Sequence, residues 1–330
     1  MEFLTDYGIF LAKLLTFVFF LLLIAGIVVI FISRSKQDDD GHLEVKNINR
    51  RFENMNLVMQ SHVQGKKEFK QSIKEFKARH KKKGGQSGKE PPAGRLFVLD
   101  FKGDIKATEV ASMREEITAL LTVATDKDEV LVRIESAGGT VHGYGLAASQ
   151  LRRIRDRNIH LTAAVDKVAA SGGYMMACVA DHIIAAPFAI IGSVGVLGQL
   201  PNFYRLLKKH NIDFEQVSAG EYKRTLSLFG ENTDEDRKRF KQEIEETHEL
   251  FKEFVAENRN QVDIDKIATG QHWYGKRALE LKLVDELRTS DDYLGQATSS
   301  MDAYEIRYVR KKPLLEKLFS VGIRFTDYFS

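Results

Sequence analysis

With 330 residues, 29% of them charged and 43% apolar, the chain has the make-up of a soluble globular protein of one large or two modest domains. A net charge of +3 gives no global case for nucleic-acid binding. A single cysteine, Cys178, excludes an internal disulfide and a cysteine-rich metal site. It lies in an apolar run and reads as core rather than as a nucleophile.

The N-terminus departs from that average. After residues 1–13, "LLTFVFFLLLIAGIVVIFI" gives nineteen residues, 14–32, without a charge. As a helix rising about 1.5 Å per residue, this stretch covers a bilayer core. It exceeds the apolar region of a cleaved signal peptide and reads as a retained transmembrane anchor. Residues 33–94 follow as a charged helical segment and a linker. The span from about 43 to 83 reads as helical, and Lys66 to Lys89 holds ten Lys or Arg and two Glu. Such a run fits a solvated helix and equally a basic segment lying on anionic lipid. "GGQSGKEPPAG", from Gly84 to Gly94, is the linker.

The folded domain is expected over 95–310. "RLFVLDF" reads as a strand, "EVASMREEITALLTVA" as a helix and "EVLVRIES" as a strand that ends in a glycine turn. "HGYGLAASQLRRIRDR" reads as a helix and "HLTAAVD" as a strand. A helix opens at Ser171, and "HIIAAP" is a further strand. Strands that barely alternate in polarity, interleaved with helices, predict a buried, largely parallel α/β sheet. "IIAAPFAIIGSVGVLGQL" is broken by Pro187, Gly192, Gly195 and Gly198, and fits two short buried strands better than a second span. "FEQVSAG" reads as a strand, and Thr233 with Asp236 as a capping box opening a helix to about Asn258. Residues 311–330 are an amphipathic tail, with Leu314, Leu315, Leu318, Phe319 and Phe325 largely on one face.

The chemistry gathers around "VAASGGYMMACVAD". A serine nucleophile needs a base for its proton and donors for the oxyanion. A helix start supplies free N–H groups. Gly172 lets a substrate carbonyl approach the backbone, and the earlier turn "ESAGG" brings Gly138 and Gly139 to the same sheet edge. From the local pattern alone Ser171 reads more readily as a simple N-cap, whose oxygen takes a helix N–H, than as a nucleophile. None of the nine histidines sits in a recognisable triad motif. A lysine acts as base only when neutral. Lys223, in "SAGEYKRTLSLFG", is the best lysine candidate, between small and apolar residues.

"ESAGG", "VAASGGYMMACVAD", "IIGSVGV", "SAGEYKR" and "GQHWYGKRALELKLVDEL" occur in this order. Together they resemble the signal peptide peptidase A family of membrane-anchored serine peptidases. One anchor and one peptidase copy place the resemblance nearest its SohB branch. The resemblance implies a ClpP/crotonase-like fold and a Ser-Lys dyad, with no cofactor and no metal. Ser171 then matches the nucleophile and Lys223 the general base. Ser193 matches a serine that orients the lysine, and Gly138 and Gly172 match the oxyanion donors. Ala137 stands where the family often has proline. The resemblance further implies a homo-oligomer with active sites shared between protomers, peptide substrates, and a single pass through the bacterial inner (cytoplasmic) membrane.

The leading expectation is thus a membrane-bound endopeptidase for hydrophobic peptides, such as signal-peptide remnants or membrane-protein fragments. A crotonase-like acyl-CoA enzyme and a non-catalytic membrane scaffold are the alternatives on the same fold. The side of the membrane stays open. Arg34, Lys36, Lys46, Arg50 and Arg51 after the anchor favour a cytoplasmic domain, while the resemblance favours the outer face.

Overall fold

A computed structural model of the chain describes residues 2–35, 41–84, 94–220, 223 and 225–310. The sequence-predicted linker, apart from its two end glycines, and the amphipathic tail lie outside the described residues. The chain divides into two units. One comprises Glu44–Arg307, and the other the chain's first 43 residues together with those from Tyr308 on.

In the smaller unit, α1 (Glu2–Ser35) is a single helix. Its stretch Asp6–Gly26 has a mean hydropathy of 2.5 and no buried share, long and apolar enough to cross a membrane.

The fold proper begins with β1 (Gly41–Asn47), α2 (Ile48–Val63) and α3 (Lys66–Gly84). Helix was expected from residue 43, so β1 corrects that reading. Leu43, Glu44, Val45 and Lys46 alternate apolar and charged, and β1 closes one edge of the sheet, where charged side chains are tolerated and useful. The sequence-predicted α/β alternation follows: β2 (Arg95–Lys102), α4 (Val110–Leu121), β3 (Glu129–Glu135), α5 (Val141–Arg155) and β4 (His160–Val165). Next come β5 (Val168–Ala170), α6 (Gly172–Ala177), β6 (His182–Ala185) and β7 (Ile190–Gly192). The run once weighed as a second span is therefore two short strands.

"FEQVSAG" is irregular rather than a strand, and Val217 there is 99% exposed. No strand among the described residues pairs with it, and a short apolar stretch without a partner does not make a strand. Around it lie α7 (Tyr204–Lys209) and α8 (Asp234–Asn258). Thr233 and Asp236 form the expected capping box on α8. The chain ends its fold with α9 (Ile264–Ile267), β8 (His272–Tyr274), α10 (Gly275–Glu280), β9 (Glu286–Leu287), α11 (Ser290–Ser300) and β10 (Asp302–Arg310).

The large sheet has the order β1-β10-β2-β3-β4-β6-β9, and its pairs from β10 to β9 are all parallel. Alternation along β3 builds two cores. Val130, Val132 and Ile134 face Met113, Ile117 and Leu120 of α4 and Leu151 of α5. Leu131 faces the other way, with Ile48 of α2 and Leu294 of α11. Burial on both faces is why these strands read as continuous apolar runs. A second sheet, β5-β7-β8, is joined to the first at the end of β3. Ser136 N–H donates to Val168 O (2.9 Å), and Ala170 N–H donates to Ser136 O (3.0 Å). This is the α/β, ClpP/crotonase-like fold expected from the sequence.

Candidate active site

The Ser136–β5 junction sets the site. It lays the turn after β3 directly beside the residue that follows β5. Those residues are Gly138 and Ser171. A Cβ at Gly138 would sit 2.7 Å from Ser171 Cβ and 2.8 Å from Gly172 N, and its φ is +92°. Only glycine fits this crossing.

Ser171 caps the start of α6 with φ 51° and ψ −119°, a conformation that non-glycine residues rarely adopt. It is held there from both sides. Its N–H donates to Gly192 O (2.7 Å), and its carbonyl accepts from Met175 N–H (2.9 Å). Its hydroxyl makes no capping bond, so the simple N-cap role is not what this serine performs. The N–H of Gly172 has no residue four places earlier in the helix to receive it, and it faces Gly138.

Ser171, Gly172, Gly138 and Ser193 all line one cleft of about 1200 Å³. Ile105, Val141, Met175, Val196, Leu197 and Phe251 supply its apolar wall. Of the expected site residues, the structure brings these four together and leaves Lys223 apart. Lys223 is exposed on the loop after Gly220 and does not line the cleft. Its neighbours Glu221, Tyr222 and Arg224 lie outside the described residues. Among the described residues lining the cleft there is no carboxylate and no lysine, and His248 is the only histidine. No group of three or more His, Cys, Asp or Glu able to hold a metal ion occurs among the described residues.

Several supporting residues carried no sequence signal. Gly138 N–H donates to Ser136 Oγ (3.0 Å), which bonds Tyr144 OH (2.5 Å). Tyr144 OH also reaches Asp104 O (2.7 Å). Burial pushes the Tyr144 phenol up, and nearby Asp104 adds to this against the Ser136 bond, so the hydroxyl stays protonated. A Cβ at Gly172 would run into the Tyr144 ring, so the same tyrosine sets how closely α6 approaches.

Ser193 has φ 53°, its N–H donates to Gln271 O (2.8 Å), and its Oγ reaches Gly270 O (3.4 Å). Gly192 before it, at φ +99°, lies against the Trp273 ring. The segment "GQHWYG" thus positions Ser193 through the carbonyls of Gly270 and Gln271 and the Trp273 ring. Cys178 is buried in the core as expected, and burial pushes its thiol up to about 12.

Comparison with known proteins identifies the family. The description "Peptidase family S49 N-terminal" matches residues 2–151, and "Peptidase family S49" matches residues 153–303. A protein of Haemophilus influenzae named "Probable protease SohB" is 47% identical over 325 residues, covering 96% of this chain and 92% of its own. Proteins of the same name from Buchnera aphidicola are also similar. One, from subsp. Schlechtendalia chinensis, is 47% identical over 305 residues, 89% of this chain and 99% of its own. Another, from subsp. Acyrthosiphon pisum, is 58% identical over 223 residues, 68% of this chain and 66% of its own. With both family regions matched in order and relatives aligned over nearly their whole length, the chain belongs to peptidase family S49.

Proposed function

We propose that this peptidase is a membrane-bound serine endopeptidase with a Ser-Lys dyad, acting on extended hydrophobic peptides. One observation carries the reading: a cleft that holds Ser171, Ser193, Gly138 and Gly172, with no lysine and no carboxylate among the described residues that line it. Ser171 Oγ attacks the scissile carbonyl and passes its proton to the neutral Lys223 amine. The oxyanion is received by Gly172 N–H, and by Gly138 N–H once that donor leaves Ser136 Oγ. The lysine then gives the proton to the departing amine. In the second half it takes a proton from water, whose oxygen attacks the acyl-serine ester, and it returns that proton to Ser171 Oγ as the acid product leaves. Ser193 orients the lysine.

Because Lys223 is exposed and outside the cleft of its own chain, it enters the cleft of a second copy. The apolar wall suits signal-peptide remnants or membrane-protein fragments. α1 anchors the enzyme in the bacterial inner membrane.

A fluorogenic apolar peptide tests the reading. Turnover falls to background in Ser171→Ala and in Lys223→Ala, and persists in His248→Gln. Unchanged turnover in Ser171→Ala overturns the nucleophile. Loss in His248→Gln with retention in Lys223→Ala makes histidine the base.

A further inference from the structure

α2 carries an apolar flank that nothing in the described fold covers. Its inner side is occupied: Ile48 is buried and Phe52 packs in the cluster of Leu294 and Ala303. Asn49 Nδ2 donates to Thr298 O (2.9 Å) and Met301 O (3.0 Å). On the outer side Arg51, Met55, Val58 and His62 fall at i, i+4, i+7 and i+11, one face of a helix. Met55, Val58 and Met59 are 55%, 60% and 64% exposed.

Cations frame this flank. Arg50 and Arg51 are exposed and have no ion partner among the described residues. They line, with Met55, Val58 and Met59, a groove of about 1250 Å³. In α3 the half-buried Phe69, Ile73 and Phe76 recur on one face, while Lys66, Lys67, Lys70 and Lys74 are exposed. From Gly41 to Gly84 there are twelve Lys or Arg against four Glu. Adding Lys36 and Asp38–Asp40 leaves an excess of six positive charges.

A solvated helix has no use for exposed Met and Val, and a purely apolar partner has none for unpaired arginines. A bilayer surface of anionic phospholipid takes both, with apolar side chains at the headgroup boundary and cations on phosphates. Covalent connection favours that occupant. Ser35, the end of α1, and Gly41 are six residues apart, at most ~21 Å of extended chain.

We propose that α2 and α3 form a foot that lies on anionic phospholipid headgroups, a membrane contact separate from α1. Met55, Val58 and Met59 enter the headgroup boundary, while Arg50, Arg51 and the α3 lysines engage phosphates. The proposal rests on reading α1 as an anchor.

Cys178 is the only cysteine and is fully buried, so a polarity-sensitive dye on Met59→Cys labels the full chain at one place. The protein is placed in nanodiscs of zwitterionic lipid, or of zwitterionic lipid with anionic phosphatidylglycerol, each carrying headgroup spin labels. Expected are a blue shift and strong quenching in the anionic discs. Replacing Arg50 and Arg51 with Gln should lower the attached-to-detached ratio about fivefold per cation removed. Adding Val58→Asp should lower it further. Equal quenching in both lipids, unmoved by these changes, overturns the proposal. A dye shielded from both spin-labelled lipid and an aqueous quencher also overturns it, because a second copy then covers the flank. A chain that fails to insert into either disc fails the anchor reading, and the foot falls with it. Insertion without lipid quenching fails the foot alone.

Discussion

Gly138 shows how much of the site rests on one missing methyl group. A Cβ there would meet Ser171 and the Gly172 N–H, and the φ of +92° disfavours any other residue. Gly138→Ala should therefore lower turnover at least about tenfold while the rest of the fold persists, read as kcat beside an unfolding curve. Comparable turnover would mean the glycine turn does not touch the reacting atoms. Away from the site, Asp128 is the clearest ionic determinant of stability. Burial alone would raise its carboxyl, but the Arg95 guanidinium and the backbone N–H groups of Thr125 and Arg95 hold it down, to about 2. A carboxyl lowered on folding stabilises the native state above its unfolded value of 3.8. That contribution, about 2 kcal/mol, is lost as pH falls from about 4 through 2. Asp128→Asn should flatten the dependence of stability on pH in that window, which denaturant melts across the range would show.

At the scale of elements, α8 forms one wall of the cleft through Thr247, His248 and Phe251. It is held at both ends. The Thr233–Asp236 box starts it, and Arg259 at its C-cap donates to Asp285 (2.8 Å), which also accepts Ile183 N–H (2.8 Å). Thr233→Ala should cost about 1 kcal/mol, measured by denaturant midpoint, and raise KM more than it lowers kcat, because the helix carries wall and not chemistry. Elements were also where the sequence was most and least legible. β2, β3 and β4 announced themselves by apolar runs buried on both faces, and the capping box by its spacing. β1 did not, because an edge strand has only one neighbour and its charges resembled those of the basic helices beyond. The glycine turn and Ser171 were legible as a pair of small-residue motifs. Their contact was not, since it depends on the Ser136 bridge between two sheets. Ser136 and Tyr144 are an ordinary serine and tyrosine until the fold stacks them behind Gly138.

For the whole molecule, the proposed role of the exposed Lys223 in a second copy's cleft would make the number of chains part of the chemistry. Ser171→Ala and Lys223→Ala proteins, each inactive, should regain part of the wild-type rate when mixed under subunit exchange. On the proposed shared site, an intact Ser171 in a mixed assembly faces an intact Lys223 at some interfaces. Crosslinked co-assembly with activity still at background would place the dyad within one chain. The exposed aromatic surface around Phe203, Phe214 and Phe229, stacked or tilted at 5.7–6.1 Å, fits such an interface. Substituting Phe214 with Glu should then shift the protein to smaller species in detergent and abolish turnover together, followed by light scattering and the same peptide assay.

Trp273, packed on Gly192 one residue before Ser193, is the only tryptophan in the chain. An indole's emission responds to the charge and polarity at its faces. The unlabelled enzyme therefore carries its own optical gauge within a residue of the group that would seat the lysine. Acylation of Ser171, or arrival of a neighbour's Lys223 on the proposed shared site, becomes a change in the colour and intensity of a single lamp. A stopped-flow trace of that light could time assembly separately from bond cleavage.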